Sequence, residues 1–422
     1  MKYLVTFARI FVGNLFIFSG VVKANDPLGF SYKLDEYFVE FGMNWEWLHS
    51  LLVPLAAALC IAEIIMGIAV LVGWRMKEIS WSLLLMIGFF TILTGASAVF
   101  EIVRSCGCFG DAIPLTPWQS FYKDLILIVF ILIIFIKRNE IKPWKDSKHL
   151  AAMFAVSTLI MIGLGVMLEW DMQVVAFATI WIAVILKFAM PDKAQLAANT
   201  AIVISIVYSL YLTIGGTTDL PFKDFRPYAV EKNLPDQMTL PEGAVQPVYE
   251  NLLVYKNKVT GDTKEFTNAT YTASKIWEDK DWEWQSTDSE MIVEGDVAKI
   301  TDLSILNHAG GDLTDIILAE EKTLWIVCYD MNLTNTENIK EINELAKKAK
   351  AGGIKVYGLS SAGEELKNKF IQENRLDFDF YVTDGIVLKT MVRSNPGIMY
   401  LTKGTVGGKW HHSNVPGIEE LN

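Results

Sequence analysis

The sequence predicts a membrane all-α bundle of about seven spans followed by a soluble α/β domain. Three observations predict it. Hydrophobicity is blocked, not blended: Leu51–Trp74, Ile79–Phe100, Leu125–Ile136, Leu150–Leu168 and Ala197–Ile214 are nearly free of charge, and about 20 apolar residues cross a bilayer. Everything after Thr217 has an ordinary soluble composition. From Gly215 onward 33 Asp and Glu face 22 Lys and Arg, so the whole net charge of -11 belongs to the tail. An acidic tail with no basic stripe excludes nucleic acid as a partner class.

The first element, Met1–Val22, is read as a span. Arg9 interrupts the apolar core that a secretory signal needs, and Lys23 stands where a cleavage site wants small neutral residues. Residues 23 to 48 mix aromatics (Phe30, Tyr32, Tyr37, Phe38, Phe41, Trp45, Trp47) with charge, which suits an interfacial helix. Only 12 apolar residues run from Leu125, but Thr116-Pro117 supplies an N-cap and first-turn pair that starts this fourth span earlier. Lysine and arginine mark the connections at Lys2, Arg75 to Lys77, Lys137 to Lys148 and Lys193 as cytoplasmic. The expected location is therefore a bacterial inner membrane, with the N-terminus cytoplasmic and both the loop at 101–122 and the tail periplasmic. The lipid bilayer is the first expected partner.

The sharpest chemical signal is Ser105-Cys106-Gly107-Cys108-Phe109-Gly110-Asp111. Cα atoms two residues apart are at most about 7 Å apart, and a bent Gly107 brings them within disulfide range. A ring that small makes a bond easily reduced, which suits one that is made and broken. Two small residues packing a tight turn is the plainer alternative. The loop has too few ligands for a metal, and none is expected.

Arg9 and Glu63 are the deepest ionisable residues of the spans and are functional candidates for that reason. Helix rise brings them within reach of one ion pair across two antiparallel helices. Cys60 lies one turn from Glu63 on the same face, either as a redox participant or as a small apolar filler.

The run Arg9 to Lys23, Glu63 followed by Gly67, and CGCFGD ahead of Trp118 and Lys123-Asp124 together resemble the DoxX superfamily in its MauE-like branch. The resemblance covers roughly residues 1–140. It implies a four-helix membrane domain of the kind seen in quinone-linked thiol oxidoreductases, with Cys106 and Cys108 as the redox pair. A quinone is the implied cofactor, and a periplasmic or membrane protein the implied partner. Residues 141–215 add three further spans.

Residues 216–297 begin with a proline-punctuated stretch through Pro221 and Pro227. Val248–Thr267 then reads as a β-hairpin around Thr260-Gly261-Asp262. From 298 to 422 the expected order is strand, strand, helix, strand, helix, strand, strand, an α/β alternation. Strands are expected at Thr323–Met331, Ile354–Leu359, Phe378–Val382 and Ile398–Thr402, and helices at Asn335–Ala351 and Glu364–Asn374. With Asn395-Pro396-Gly397 before the strand at Ile398, this order resembles the thioredoxin-like fold of thiol reductases and peroxiredoxins. The resemblance implies a cis-proline at Pro396. A Cys-x-x-Cys should open the first helix, but the chain reads Asn332-Leu333-Thr334-Asn335, and Thr334 to Glu337 has the spacing of a capping box. Cys328, inside a strand, reads as a buried small hydrophobe. The expected function is periplasmic thiol-disulfide exchange or protein maturation through the CGC pair. The rival is a membrane scaffold whose tail recruits partners.

Overall fold

The computed structural model describes residues 2–100, 107–142, 147–190, 192–240, 243–245, 248–293 and 295–421. Its first half is helical: α1 (Lys2–Asn25), α2 (Pro27–Glu40), α3 (Glu46–Val72), α4 (Met76–Phe100), α5 (Pro117–Lys137), α6 (Ser147–Leu168), α7 (Met172–Ala189) and α8 (Ala194–Thr218). Among the described residues, six of these are long and apolar enough to cross a membrane; α7 is a shorter apolar helix, and α2 is the amphipathic segment. The chain is thus a membrane protein with a lipid-facing bundle. Leu85, Ile92, Leu159, Val166 and Ile185 are exposed on its outside, where acyl chains replace water.

The helices begin where local chemistry lets them. Asp26 accepts from the Gly29 N–H at 2.8 Å and Pro27 opens α2. Thr116 and Gln119 form a reciprocal capping box on α5. Helices α1 and α3 meet through glycine. A Cβ on Gly67 would lie 2.7 Å from the Gly13 carbonyl oxygen, and one on Gly20 would lie 2.9 Å from the Ile64 nitrogen. Small residues let membrane helices approach backbone to backbone, and this contact fixes which side chains of the two helices face each other.

The tail begins with α9 (Leu234–Gln237). Then β1 (Val248–Asn257), β2 (Thr263–Phe266) and β3 (Trp282–Val293) form an antiparallel sheet in the order β2-β1-β3, with α10 (Asn268–Ser274) between β2 and β3. The expected hairpin is there, and β3 extends it by one strand.

The remainder runs α11 (Thr314–Leu318), β4 (Thr323–Cys328), α12 (Ile339–Ala351), β5 (Lys355–Ser360), α13 (Glu364–Asn374), β6 (Phe380–Val382), α14 (Gly385–Met391), β7 (Gly397–Thr402) and β8 (Thr405–His411). The sheet order is β6-β5-β4-β7-β8. β4 runs parallel to β5 and antiparallel to β7. Leu324, Ile326 and Cys328 of β4 point into one core, Trp325 and Val327 into the other, so this strand is buried on both faces. The two strands expected ahead of the first helix reduce to β4 itself: from 298 to 322 the backbone forms only isolated bridges, such as Leu306 with Val382, and the short α11.

Helix α12 starts at Ile339, not at Asn335, and the expected Thr334–Glu337 capping box is not formed. The Thr334 hydroxyl donates back to the Asp330 carbonyl at 2.8 Å, and the Glu337 N–H donates to the Asn335 side chain at 2.8 Å. These local side-chain bonds offer the backbone turns in place of a helical start.

Candidate functional site

Lys23–Glu63 and Lys123–Asp124 form ion pairs inside the bundle. Lys23 Nζ sits 2.7 Å from Glu63 Oε1, with both side chains about 3% exposed. Lys123 Nζ sits 2.6 Å from Asp124 Oδ1, and Asp124 also accepts from the Thr94 hydroxyl at 3.0 Å. The Lys23 ammonium lies over the rings of Phe90 at 4.5 Å and Phe30 at 4.9 Å, so its remaining faces meet aromatic surface.

The expected Arg9–Glu63 pair is not formed. Arg9 donates instead to the carbonyls of Val70 at 2.9 Å and Leu71 at 2.7 Å, closing the carboxyl end of α3. The glycine contact sets Arg9 level with Val70 and Leu71, which lie seven or eight residues, about 11–12 Å, from Glu63 along the helix. Lys23 comes from four turns further along α1. Its side chain slants back toward the helix start and reaches Glu63.

Gly107 and Cys108 lie beside these charges. The Cys108 carbonyl accepts from the Ser19 hydroxyl at 3.0 Å, and the residue is only 8% exposed. Cys106 lies outside the described residues. Gly107 has φ +62°, a left-handed backbone that suits glycine in a tight turn. Cys108, Lys23, Glu63, Lys123 and Asp124 line one cavity of about 20 Å³, room for a water-sized group. Cys60 is fully buried against α1 beside Gly20 and is not among that cavity's lining residues.

The tail is bound to this end of the bundle. Arg393, three residues before Pro396, donates from Nε to both oxygens of Asp26 at 2.9 and 3.1 Å, and its guanidinium reaches Asp111 of the CGCFGD run at 3.7 Å. Burial alone would lower the Arg393 pKa, but Asp26 and Asp111 raise it above its usual value. Tyr32 of α2 and Tyr329 at the end of β4 hydrogen bond through their hydroxyls at 3.3 Å. Asn25 and Lys223 exchange two hydrogen bonds, at 2.7 and 3.0 Å.

Beside this junction Asp224 accepts from Arg226 at 2.7 Å and from Lys409 at 2.6 Å. Burial would raise the Asp224 pKa, yet the two cations hold it well below the usual carboxylate range. A cleft of about 410 Å³ opens between the tail, α2 and the CGC loop, with Lys23, Phe30, Gly107, Asp111, Phe225 and Lys389 among its walls.

The tail's own candidate positions carry no thiol chemistry. The Asn395–Pro396 peptide is cis. Asn395 ties its loop to the β4–α12 connection, donating to the Asp330 carbonyl at 2.7 Å and accepting from the Asn335 N–H at 2.9 Å. Cys328 is fully buried, and burial pushes its thiol up to about 12, against a weaker opposing hydrogen bond from Thr334.

Sequence reasoning missed Lys23 as the partner of Glu63. The available signal was its spacing from Arg9: fourteen residues, about four turns, places both on one face of α1. Arg393, Asp26 and Asp111 had no signal, because their meeting spans the whole chain.

Residues 1–137 match the family described as methylamine utilisation protein MauE. The chain is also 26% identical, over 180 residues, to Protein TlpB of Flavobacterium psychrophilum, which covers 38% of this chain and 43% of that protein. The chain therefore spans less than half the length of this curated relative. No solved structure matches it. The first 137 residues are thus similar to the MauE family.

Proposed function

We propose that the protein is a membrane component of thiol-disulfide exchange, with Cys106 and Cys108 as its working dithiol and the tail as a thioredoxin-shaped cap without a nucleophile. The observation that carries this reading is the position of Cys108. It lies between a buried cluster of two ion pairs below and the tail-roofed cleft above. The match to MauE over residues 1–137 supports it. The β5-β4-β7-β8 order with the cis peptide before β7 supports the thioredoxin-like reading of residues 298–422.

Topology follows in the same reading. Helices α1 and α8 end on one side, where Gly216 packs against the Asn25 carbonyl, so the number of crossings from first to last is odd. Seven, with α7 included, places the CGC loop and tail on one face. The basic connections make that face periplasmic, in a bacterial inner membrane. The dithiol exchanges electrons with a quinone in the bundle, in either direction. The cysteines act on a protein partner that approaches by the cleft.

The scaffold reading has one observation in its favour, the loss of cysteine from the β4–α12 loop. That loop's neighbours Tyr329 and Arg393 are, however, engaged by the chain's own α2. The test is a trap. Cys106→Ser and Cys108→Ser each leave one thiol that cannot resolve a mixed disulfide. At least one should accumulate a covalent adduct on a non-reducing gel, which the double serine variant lacks. No adduct from either single variant, together with full complementation of a deletion by the double variant, would leave the scaffold in its place.

A further inference from the structure

We infer that Lys409 of β8 is a proton-operated clamp: it fastens the segment leaving α8 to the tail's sheet, and fastens it more tightly as the pH rises above neutrality. The clamp stands apart from thiol exchange. The Lys409 side chain is 3% exposed, and its Nζ lies 2.6 Å from Asp224 Oδ2. The same carboxylate is already held by Arg226, from Nε to Oδ1 at 2.7 Å and from Nη2 to Oδ2 at 2.9 Å. Arg226 is as deeply buried, and its Nη1 donates to the Thr390 carbonyl at 2.9 Å. Two buried cations therefore share one anion.

The charged groups that act on Lys409 come from two further segments. Asp224 and Arg226 follow α8, and Arg393 follows α14. Arg393 is a third cation, whose own carboxylates, Asp26 and Asp111, belong to the bundle. Met399 of β7, opposite Lys409, carries no charge, and His411 stands two residues further along β8. Excess positive charge in a buried cluster is costly. The two arginines cannot give up a proton, so Lys409 is the cation that can. A neutral amine still donates to Asp224. Burial and Arg226, against the opposing Asp224, bring the Lys409 pKa down to about 7.

When the segment lifts, Lys409 meets water and returns to the ordinary lysine value of about 10.4. Below about 7 the seated and lifted states both hold the proton, and pH has no leverage. Between those two values only the lifted state holds it. The seated state therefore gains as pH rises, and the opening equilibrium falls by about tenfold per pH unit. His411 and His412 are held below their ordinary value, chiefly by burial, and so lie outside this window. Pro221, Lys223, Asp224, Phe225 and Arg226 form one wall of the 410 Å³ cleft, so the clamp sets how firmly that wall is held.

The test is amide hydrogen exchange of the full-length protein in lipid nanodiscs, read on peptides from 219 to 230 at pH 7.5 and pH 9.5. Wild type is compared with Lys409→Met, which has no proton to lose, and with Lys409→Arg, which never loses it. The ratio of wild type to variant at each pH cancels the intrinsic exchange rate. Against Lys409→Met, opening of the wild type should be in excess at pH 7.5, and that excess should shrink by about 100-fold over the two pH units. Lys409→Arg should keep the segment loose at both pH values, so its ratio to the wild type should change by the same factor. If Lys409→Met does not fold, the arginine variant still decides. A wild-type ratio to either variant that stays flat between the two pH values overturns the clamp, as does a Lys409→Arg protein that tightens with pH as the wild type does.

Discussion

Arg393 of the tail and Asp26 at the start of α2 form a two-bond contact, 2.9 and 3.1 Å, between residues 367 positions apart. The same guanidinium reaches Asp111 of the CGCFGD run. A residue beside the Pro396 loop therefore holds the end of the membrane bundle where α1 meets α2. The face of the tail that carries Tyr329 and Arg393 closes on its own bundle at Tyr32, Asp26 and Asp111.

Arg393→Ala should loosen the tail. Removing one partner of a buried ion pair costs about 3–5 kcal/mol, and the loss here falls on the junction. Limited proteolysis of the 219–233 segment should accelerate, with the β4–β8 sheet still folded. Asp26→Ala should do the same. The two changes together should be less than additive by at least about 1 kcal/mol. Full additivity would separate the two residues.

Lys23 and Glu63 should couple in the same way, whereas Arg9 and Glu63 should not. In thermal or denaturant unfolding, losses from Arg9→Ala and Glu63→Gln should add within about 0.5 kcal/mol, because Arg9 caps the α3 carbonyls and, among the described residues, pairs with no carboxylate. Lys23→Met should recover part of the Glu63→Gln loss by removing an uncompensated charge.

Gly67→Ala tests the helix contact that sets this register. The added methyl would press on the backbone oxygen of Gly13 and nitrogen of Ile17 at 2.7 and 2.9 Å. Overpacking of this kind costs about 1–3 kcal/mol. Bundle stability should fall, and Glu63 should be displaced from Lys23.

Asp224 predicts a pH dependence. Its carboxylate is held below the usual range in the folded state. The stability it contributes is therefore present above the ordinary carboxylate pKa of about 3.9, and is lost as pH falls below it. Unfolding of the tail between pH 5 and pH 2 should show this acid-side loss in the wild type. Asp224→Asn should start less stable at pH 7 and lose less over the same range. Parallel pH curves would contradict the assignment.

Blocked hydrophobicity made the bundle legible, because a bilayer demands long uncharged runs and little else does. Thr116-Pro117 was readable as a start to α5 because caps are local. The β4–α12–β5 alternation was readable because period-two and period-3.6 patterns differ. The Arg9–Glu63 pairing failed because it depends on the axial register of two helices, and that register is set by Gly13, Gly20 and Gly67 in three dimensions. The start of α12 failed because Thr334 bonds back to Asp330 and Asn335 accepts from Glu337, which holds the backbone in turns. Arg393, Asp26 and Asp111 were invisible for a similar reason, since only the folded junction brings the tail, α2 and the CGC loop together.

The most direct measurement is a redox titration of the Cys106–Cys108 pair in the intact protein. Alkylation mass and peptide mapping after equilibration in thiol-disulfide buffers would follow it. The account predicts a Cys106–Cys108 disulfide that forms reversibly and opens under mild reductant, as a small strained ring should. Cys60 and Cys328, both fully buried, should stay as thiols throughout. Two cysteines that remain reduced in the most oxidising buffer, or a disulfide that resists reductant, would contradict it.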